Sequence, residues 1–433
     1  MTELHEVSMK TSSTLCHLLF LALVAANLSA ADWPQWRGPK RDGISAETGL
    51  LKSWPPEGPK LLWQVKDLGS GYSTPSVVGG RVYVMSNKGR EDEFVKALDV
   101  KDGRQVWSTR LGKVGNPDQQ PSYPAARSTP TVDGTRIYAL GSDGDLACLE
   151  TASGKVRWQK SLRADFGGKP GTWAYSESPL VDGDVVVCTP GGTEATIMAL
   201  NKNTGEVVWK CAVPGGAKAG YSSIVVADAG GVRQYLAYTG GGLFGVEAKT
   251  GKFLWRYDKT TGPVGMSVLT PVVNEGLVYS ANDRLGGAAV RLLADGEAVK
   301  AEEVYRGTKL PNTIGGAVLM GEHLYGSSGV TLVCAEFKTG QIKWSERVTA
   351  PGALCYADGR LYFHGENGAI LLVEATQEAY REHGRVTPPN PPAPANQMEK
   401  AWPHPVIADG RLFIRNNESL WCYDIKEMPE SAQ

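Results

Sequence analysis

Apolar residues in this chain fall in short runs, each closed by a glycine-containing turn, and the runs recur in sets of four. The pattern is plainest between residues 128 and 160. Residues 128–132 read as a first strand, Asp133-Gly134 as its turn, 136–140 as the return, and Ser142-Asp143-Gly144 as a second turn. Residues 146–150 run back, and Ser153-Gly154 makes the last turn before 155–160. Such pairs supply the positive φ that tight hairpins need. Five sets end on a turn glycine followed four residues later by tryptophan: Gly103/Trp107, Gly154/Trp158, Gly205/Trp209, Gly251/Trp255 and Gly340/Trp344. A repeated unit of roughly 40–50 residues built from four short strands predicts a β-propeller. One such sheet cannot bury both of its apolar faces alone. Radial stacking hides them, and a large aromatic on each outer strand fills the gap to the neighbour.

Eight copies are legible, at 73–111, 128–162, 177–213, 222–257, 269–305, 315–348, 353–380 and 404–425. In the fifth, Lys300 stands where the tryptophan is expected; in the seventh the turn glycine is lost and Tyr380 takes the aromatic place. The eighth stops after three strands, and the missing outer strand lies at the other end of the chain as KLLWQV, residues 60–65. The expectation is an all-β, eight-bladed propeller of four-stranded antiparallel blades, closed by an N-terminal strand that removes the free sheet edges. Residues 32–433 form this single domain. Residues 1–31 read as a secretory leader: Met9-Lys10, an apolar run over 15–28, then Ser29-Ala30-Ala31 before Asp32. The run is short for a permanent membrane helix, and no Leu-x-x-Cys lipobox occurs, so a periplasmic or secreted monomer with no integral membrane span is expected.

Charge and composition narrow the partners. With 45 basic against 46 acidic residues the net charge is −1, which speaks against a nucleic-acid partner. The proline-rich stretch 387–394, TPPNPPAP, reads as a spacer between the last two blades. Cys148, Cys334 and Cys422 share one repeat position with Ala97, Ala199 and Gly245, as small residues in a packed third strand. Cys188 and Cys211 lie on different strands of one blade, where a single bridge is conceivable. The histidines His323, His364, His383 and His404 are scattered, without metal-ligand spacing.

The turns ALDVKDGRQVW, CLETASGKVRW, ALNKNTGEVVW, GVEAKTGKFLW and CAEFKTGQIKW resemble the tryptophan-docking motif of quinoprotein-type propellers. The resemblance covers about residues 32–426 and is nearest to the PQQ-binding-like repeat proteins, a group that includes the outer-membrane protein assembly lipoprotein B. The opening Asp32-Trp33-Pro34-Gln35-Trp36-Arg37-Gly38-Pro39 is similar to the first segment of a secreted subgroup. The group holds both quinone dehydrogenases and non-catalytic scaffolds. The dehydrogenases carry an adjacent cysteine pair over the quinone and hold calcium with Glu, Asn and Asp. This chain has no adjacent cysteines and no matching calcium constellation. No catalytic residue is therefore carried over and no cofactor is expected, with PQQ and calcium as the alternative.

The propeller reading places two kinds of loop on opposite rims. First-to-second-strand turns and Gly-x-x-x-Trp turns are short and share one rim. The other rim collects longer, irregular connections, where binding residues concentrate. Candidates there are Tyr72, Arg127, Trp173, Tyr175, Glu177, Tyr221, Asn312 and His404, with Asn282, Asp283 and His364 nearby. Arg127 and Glu177, from neighbouring blades, could form an ion pair. His364 and His404, with Glu366 or Asp283, could serve acid–base chemistry or bind a metal. The preferred function is a non-catalytic scaffold binding a protein or peptide through this rim. A quinone-dependent alcohol-type dehydrogenase and a small-ligand or glycan-binding module are the alternatives.

Overall fold

The computed structural model describes residue 1 and residues 32–118, 125–262, 266, 268–296, 298–393 and 399–427. The leader and part of the 113–127 connection, including Tyr123, lie outside the described residues. Among the described residues no helix is long and apolar enough to cross a membrane.

Among the described residues, thirty-two strands form eight four-stranded antiparallel sheets. Blades 1 to 7 are consecutive meanders over 76–113, 131–161, 180–211, 225–257, 272–307, 317–347 and 352–386. Blade 8 combines Val406–Ala408, Arg411–Asn416 and Ser419–Asp424 with Lys60–Val65, which pairs antiparallel to Ser419–Asp424. The ring closes as the sequence predicts.

Register shows what the glycine–tryptophan motif does. A β-bulge beside the tryptophan position interrupts each pairing of third and fourth strands. Across from the aromatic stands a small residue: Ala97, Cys148, Ala199, Gly245, Cys334 or Cys422. The indole N–H groups of Trp63, Trp107, Trp158, Trp209 and Trp344 donate to Val100, Thr151, Lys202, Ala248 and Thr376 carbonyls of the following blade. Each turn glycine meets the docking aromatic of the blade before it, a tryptophan for four of them and Tyr305 for Gly340. A Cβ at Gly103, Gly154, Gly205 or Gly251 would stand 2.4–2.9 Å from that ring. Those glycines also hold φ of 70–74°, so conformation and space both require glycine.

Two details differ from expectation. In blade 5 the third and fourth strands, Gly286–Asp295 and Ala298–Gly307, run ten residues each. The hairpin is longer, so Lys300 pairs with Leu293 beyond the docking position. Tyr305 occupies that position opposite Ala289, and its hydroxyl donates to Phe337 O at 2.7 Å. In blade 7 the position opposite Leu372 is Gly384, not Tyr380. The missing ring arrives from elsewhere in the chain: Trp54 lies where a Gly384 side chain would be, its Cβ 2.6 Å from where a Cβ on Gly384 would stand. Trp54 N donates to His383 O at 2.9 Å, and its ring lies 6.1 Å from Tyr362. Tyr380 packs edge-on against Trp344 instead. All six cysteines in the described residues are buried and free, so Cys188 and Cys211 form no bridge.

Residues 32–45 belong to no blade. Trp33 pairs with Val77 of blade 1, Pro34 O accepts from Val132 N of blade 2, and Arg41 donates to Ser178 and Pro179 O beside blade 3. Trp36 Nε1 donates to Thr270 Oγ1 before blade 5, Arg37 Nη2 to Ala317 O of blade 6, and Ser45 Oγ to Ile407 O of blade 8. Ile44 bridges to Tyr356 of blade 7. One short segment reaches inner strands all around the ring only by running through its centre. It is a plug.

Candidate functional site

The plug turns the axial channel into a cup. Its bends use left-handed backbone at Arg37 (φ 59°), Gly38 (φ 83°), Arg41 (φ 59°) and Gly43 (φ 81°). A Cβ at Gly38 would lie 3.1 Å from the Trp33 ring, so the turn folds onto that indole. This raises Trp36 and Arg37 toward the rim of long connections. They form the floor of a cavity of about 460 Å³ together with Gly316 and His404. That size suits a small organic ligand or the end of a chain.

The wall is a run of tilted aromatic rings and cations. Tyr72 and Trp402 lie 4.6 Å apart, centroid to centroid, and Arg127 sits 5.2 Å over the Tyr72 ring. Arg127 donates to Trp173 O at 3.0 Å, and Trp173 lies 5.7 Å from Tyr221, whose hydroxyl accepts from Trp173 N. Arg284 and Lys400 add two further cations, and among the described residues Glu366 is the one carboxylate on the lining. Trp402 Nε1 donates to Glu366 Oε1 at 3.1 Å, while burial pushes that carboxyl upward.

Burial sets the electrostatics of the floor. Arg37 is 2% exposed, and desolvation lowers its guanidinium to about 10 despite the attraction of Asp42, so it stays cationic at neutral pH. Its Nη2 donates to Asp42 O at 2.9 Å and to Ala317 O at 2.5 Å, whereas Nε and Nη1 meet no hydrogen-bond partner among the described residues. The His404 ring packs edge-on at 4.5 Å against Trp36. Burial first, then the Arg37 charge and His364, hold His404 well below the ordinary histidine range, so it is neutral.

Five sequence-predicted candidates therefore share the cavity: Tyr72, Arg127, Trp173, Tyr221 and His404. Six do not. Tyr175 is buried between blades and donates to Pro190 O at 2.9 Å. Glu177 turns inward, accepts from Thr189 N and lies near Arg41. Burial raises it to about 7, and the ion pair considered with Arg127 is replaced by the contact of Arg127 with the Trp173 carbonyl. Asn282 caps its own turn through Arg284 N, and Asn312 Nδ2 reaches the Asp283 carbonyl in a neighbouring niche. His364 is fully buried, bonds Pro403 O at 2.9 Å and is depressed to about 4 by desolvation. Inner-strand residues that start each blade alternate between the channel and the interblade core, and position along the chain does not reveal which way each points. Trp36 and Arg37 were missed because they precede the repeats. The available signal was a dense aromatic and basic run, WPQWRGPKR, with no strand alternation.

Known proteins match this chain along most of its length. A family model described as outer membrane protein assembly factor BamB matches residues 44–169 and 91–346. The chain is 26% identical to outer membrane protein assembly factor BamB of Yersinia pestis over 332 residues, covering 73% of this chain and 68% of that protein. It is 29% identical to serine/threonine-protein kinase AfsK of Streptomyces griseus over 168 residues, 38% of this chain and only 19% of the kinase. The chain thus spans about two thirds of one of these curated relatives and less than a fifth of the other. In solved structures, BamB from Moraxella catarrhalis superposes with a TM-score of 0.58 at 15% identity, over 84% of this chain and 99% of that one. Quinohemoprotein alcohol dehydrogenase from Comamonas testosteroni gives 0.64 at 13% identity, over 93% and 82%. At such identities the likeness is one of fold.

Proposed function

This chain belongs to the PQQ-repeat propeller family described by outer membrane protein assembly factor BamB, and from that premise we propose that it is an exported, non-catalytic scaffold binding a protein or peptide through its cavity-bearing rim. The observation that carries the reading is the cup itself. Aromatic and cationic side chains from several blades face outward on the rim of long connections, and the ring and plug hold them rigidly. Rigid aromatic and arginine anchors around a pocket are what binding hot spots are made of. The names of the BamB relatives, as assembly factors, point the same way.

An axial, cationic cup on a propeller also raises the quinone reading. Its metal requirement does not fit these residues. Glu366, the one carboxylate on the lining, is held by Trp402, and among the described residues no group of three His, Cys, Asp or Glu could hold a metal ion. No step is derived through a quinone.

The test replaces exposed Arg284 with a photo-crosslinking residue in the exported protein and follows adducts with and without Trp173→Ala. A discrete partner captured by the parent and lost in a normally folded Trp173→Ala protein supports the scaffold. Calcium-dependent quinone binding with alcohol turnover sinks it.

A further inference from the structure

The floor of the cup holds a buried charge with two of its five N–H donors used. Arg37 spends Nη2 on the plug and blade 6, while Nε and Nη1 remain unpartnered among the described residues in a side chain that is 2% exposed. A buried guanidinium without full hydrogen bonding is costly, and this one lies on the cavity floor. Gly316 keeps that edge open. A Cβ there would stand 2.7 Å from Arg37 Nη1 and 3.7 Å from His404 Cε1. A glycine with φ of 71° at this point serves the turn and leaves space beside the guanidinium.

Above the charge the surroundings become apolar and aromatic. Trp36, Tyr72, Trp402 and Ile314 line the same cavity as Arg37. Among the described lining residues, four cations against one carboxylate, itself bound by Trp402, give the cup an anion preference. The plug blocks passage along the axis, so no chain can thread through. An occupant must enter end-first from the rim, with its negative charge leading and an apolar body following.

We propose that this cup binds a carboxylate carried on an apolar or aromatic body, the carboxylate meeting Arg37 beside Gly316 and the body resting among Trp36, Tyr72 and Trp402. The proposal rests on the scaffold reading and sharpens it: a peptide partner presents its C-terminal residue. A free small aryl or alkyl carboxylic acid carries the same chemistry. An internal peptide segment has no such end. His404, held neutral by burial and the Arg37 charge, adds no second charge to the floor.

Calorimetry on the exported protein tests this with three probes: N-acetyl-Gly-Gly-Phe with a free carboxylate, the same peptide as its C-terminal amide, and 3-phenylpropionate. Loss of one charge-assisted contact is expected to weaken the amide about tenfold to a hundredfold against the acid. Arg37→Gln should abolish the preference for the acid. Because Arg37 also ties down the plug, Ile314→Glu serves as a second variant. It adds a competing carboxylate from a half-buried wall position and should lose binding while the fold is kept. Binding of 3-phenylpropionate without the peptides supports the carboxylate site and assigns it to free acids. Equal binding of acid and amide, or no binding of any probe to folded protein, overturns the proposal. A partner still crosslinked through position 284 in that case leaves the scaffold reading standing, whereas calcium-dependent quinone turnover removes the scaffold reading itself.

Discussion

Trp54 offers the sharpest check on how the ring is held. It is 7% exposed, comes from a segment outside the repeats, and fills the docking position that Gly384 leaves empty in blade 7. Removing a buried tryptophan side chain costs about 3–5 kcal/mol. The backbone bond from Trp54 N to His383 O is available to alanine as well, so the loss in Trp54→Ala comes from packing. Phenylalanine separates packing from hydrogen bonding. Trp63 is buried to the same degree and its Nε1 donates to Val100 O at 3.0 Å, whereas Trp54 Nε1 has no partner among the described residues. Trp63→Phe should therefore cost about 1 kcal/mol more than Trp54→Phe, the net worth of one hydrogen bond. A ring of this size need not unfold in two states, so the assay pairs thermal denaturation with hydrogen exchange read at Glu382–Val386. Trp54→Ala should lower the midpoint and release protection in that strand first. Unchanged protection there, or equal costs for the two phenylalanine variants, would refute the docking role assigned to Trp54.

Other expectations follow from closure and from buried titrating groups. Deleting residues 54–66 strips the strand Lys60–Val65 from Ser419–Asp424 and should leave an open ring that aggregates in size-exclusion chromatography; a soluble, fully folded truncation contradicts closure. Burial raises Glu93 to about 7 even though the Ser142 hydroxyl and N–H both donate to it. Native Glu93 thus keeps a proton that the unfolded chain releases near 4.5. Stability falls as pH rises from about 4.5 to 7, by on the order of 3 kcal/mol at most. Glu93→Gln should gain on the parent protein at pH 8 relative to pH 5 in denaturant titrations, and a constant difference across pH denies the shift. His364, depressed to about 4, has the opposite sign. Its contribution is complete above about 6.5 and is lost as pH falls toward 4. His364→Gln should flatten the acid limb of the stability curve, and an unaltered limb counts against a neutral buried imidazole.

Fold was legible in the chain because each blade writes its own geometry locally. Asp133-Gly134 specifies one turn, and Gly154 specifies both a turn and the face that receives Trp107. Local signals fail where a neighbour supplies the missing group. The longer blade 5 hairpin carries its docking aromatic to Tyr305, five residues past Lys300. Blade 7 lacks an aromatic on its own fourth strand because Trp54, some 330 residues away in sequence, provides one. For the site, rim residues such as Tyr72, Trp173 and Tyr221 were legible as a class. The inward turn of Glu177 and Tyr175 depends on strand register and was not.

The plug explains why the repeats fix the scaffold yet say little about what it binds. Every blade contributes an inner strand to the channel, and a repeated strand can offer only repeated chemistry there. Residues 32–45 break that symmetry. They meet seven of the eight blades in different ways and raise a single arginine to one side of the axis, next to Gly316 and His404. The ring provides rigidity, and the non-repeating segment provides an end wall, a direction and a charge. Substitutions within 32–45 should therefore alter ligand preference more than fold, except at Arg37 and Arg41, whose guanidinium groups donate to the Ala317 carbonyl and to the Ser178 and Pro179 carbonyls and anchor the plug to blades 6 and 3. Members of the family that share these blades but differ in the segment before the first strand would be expected to differ in what they bind. Specificity then lies in the part of the chain that carries no repeat.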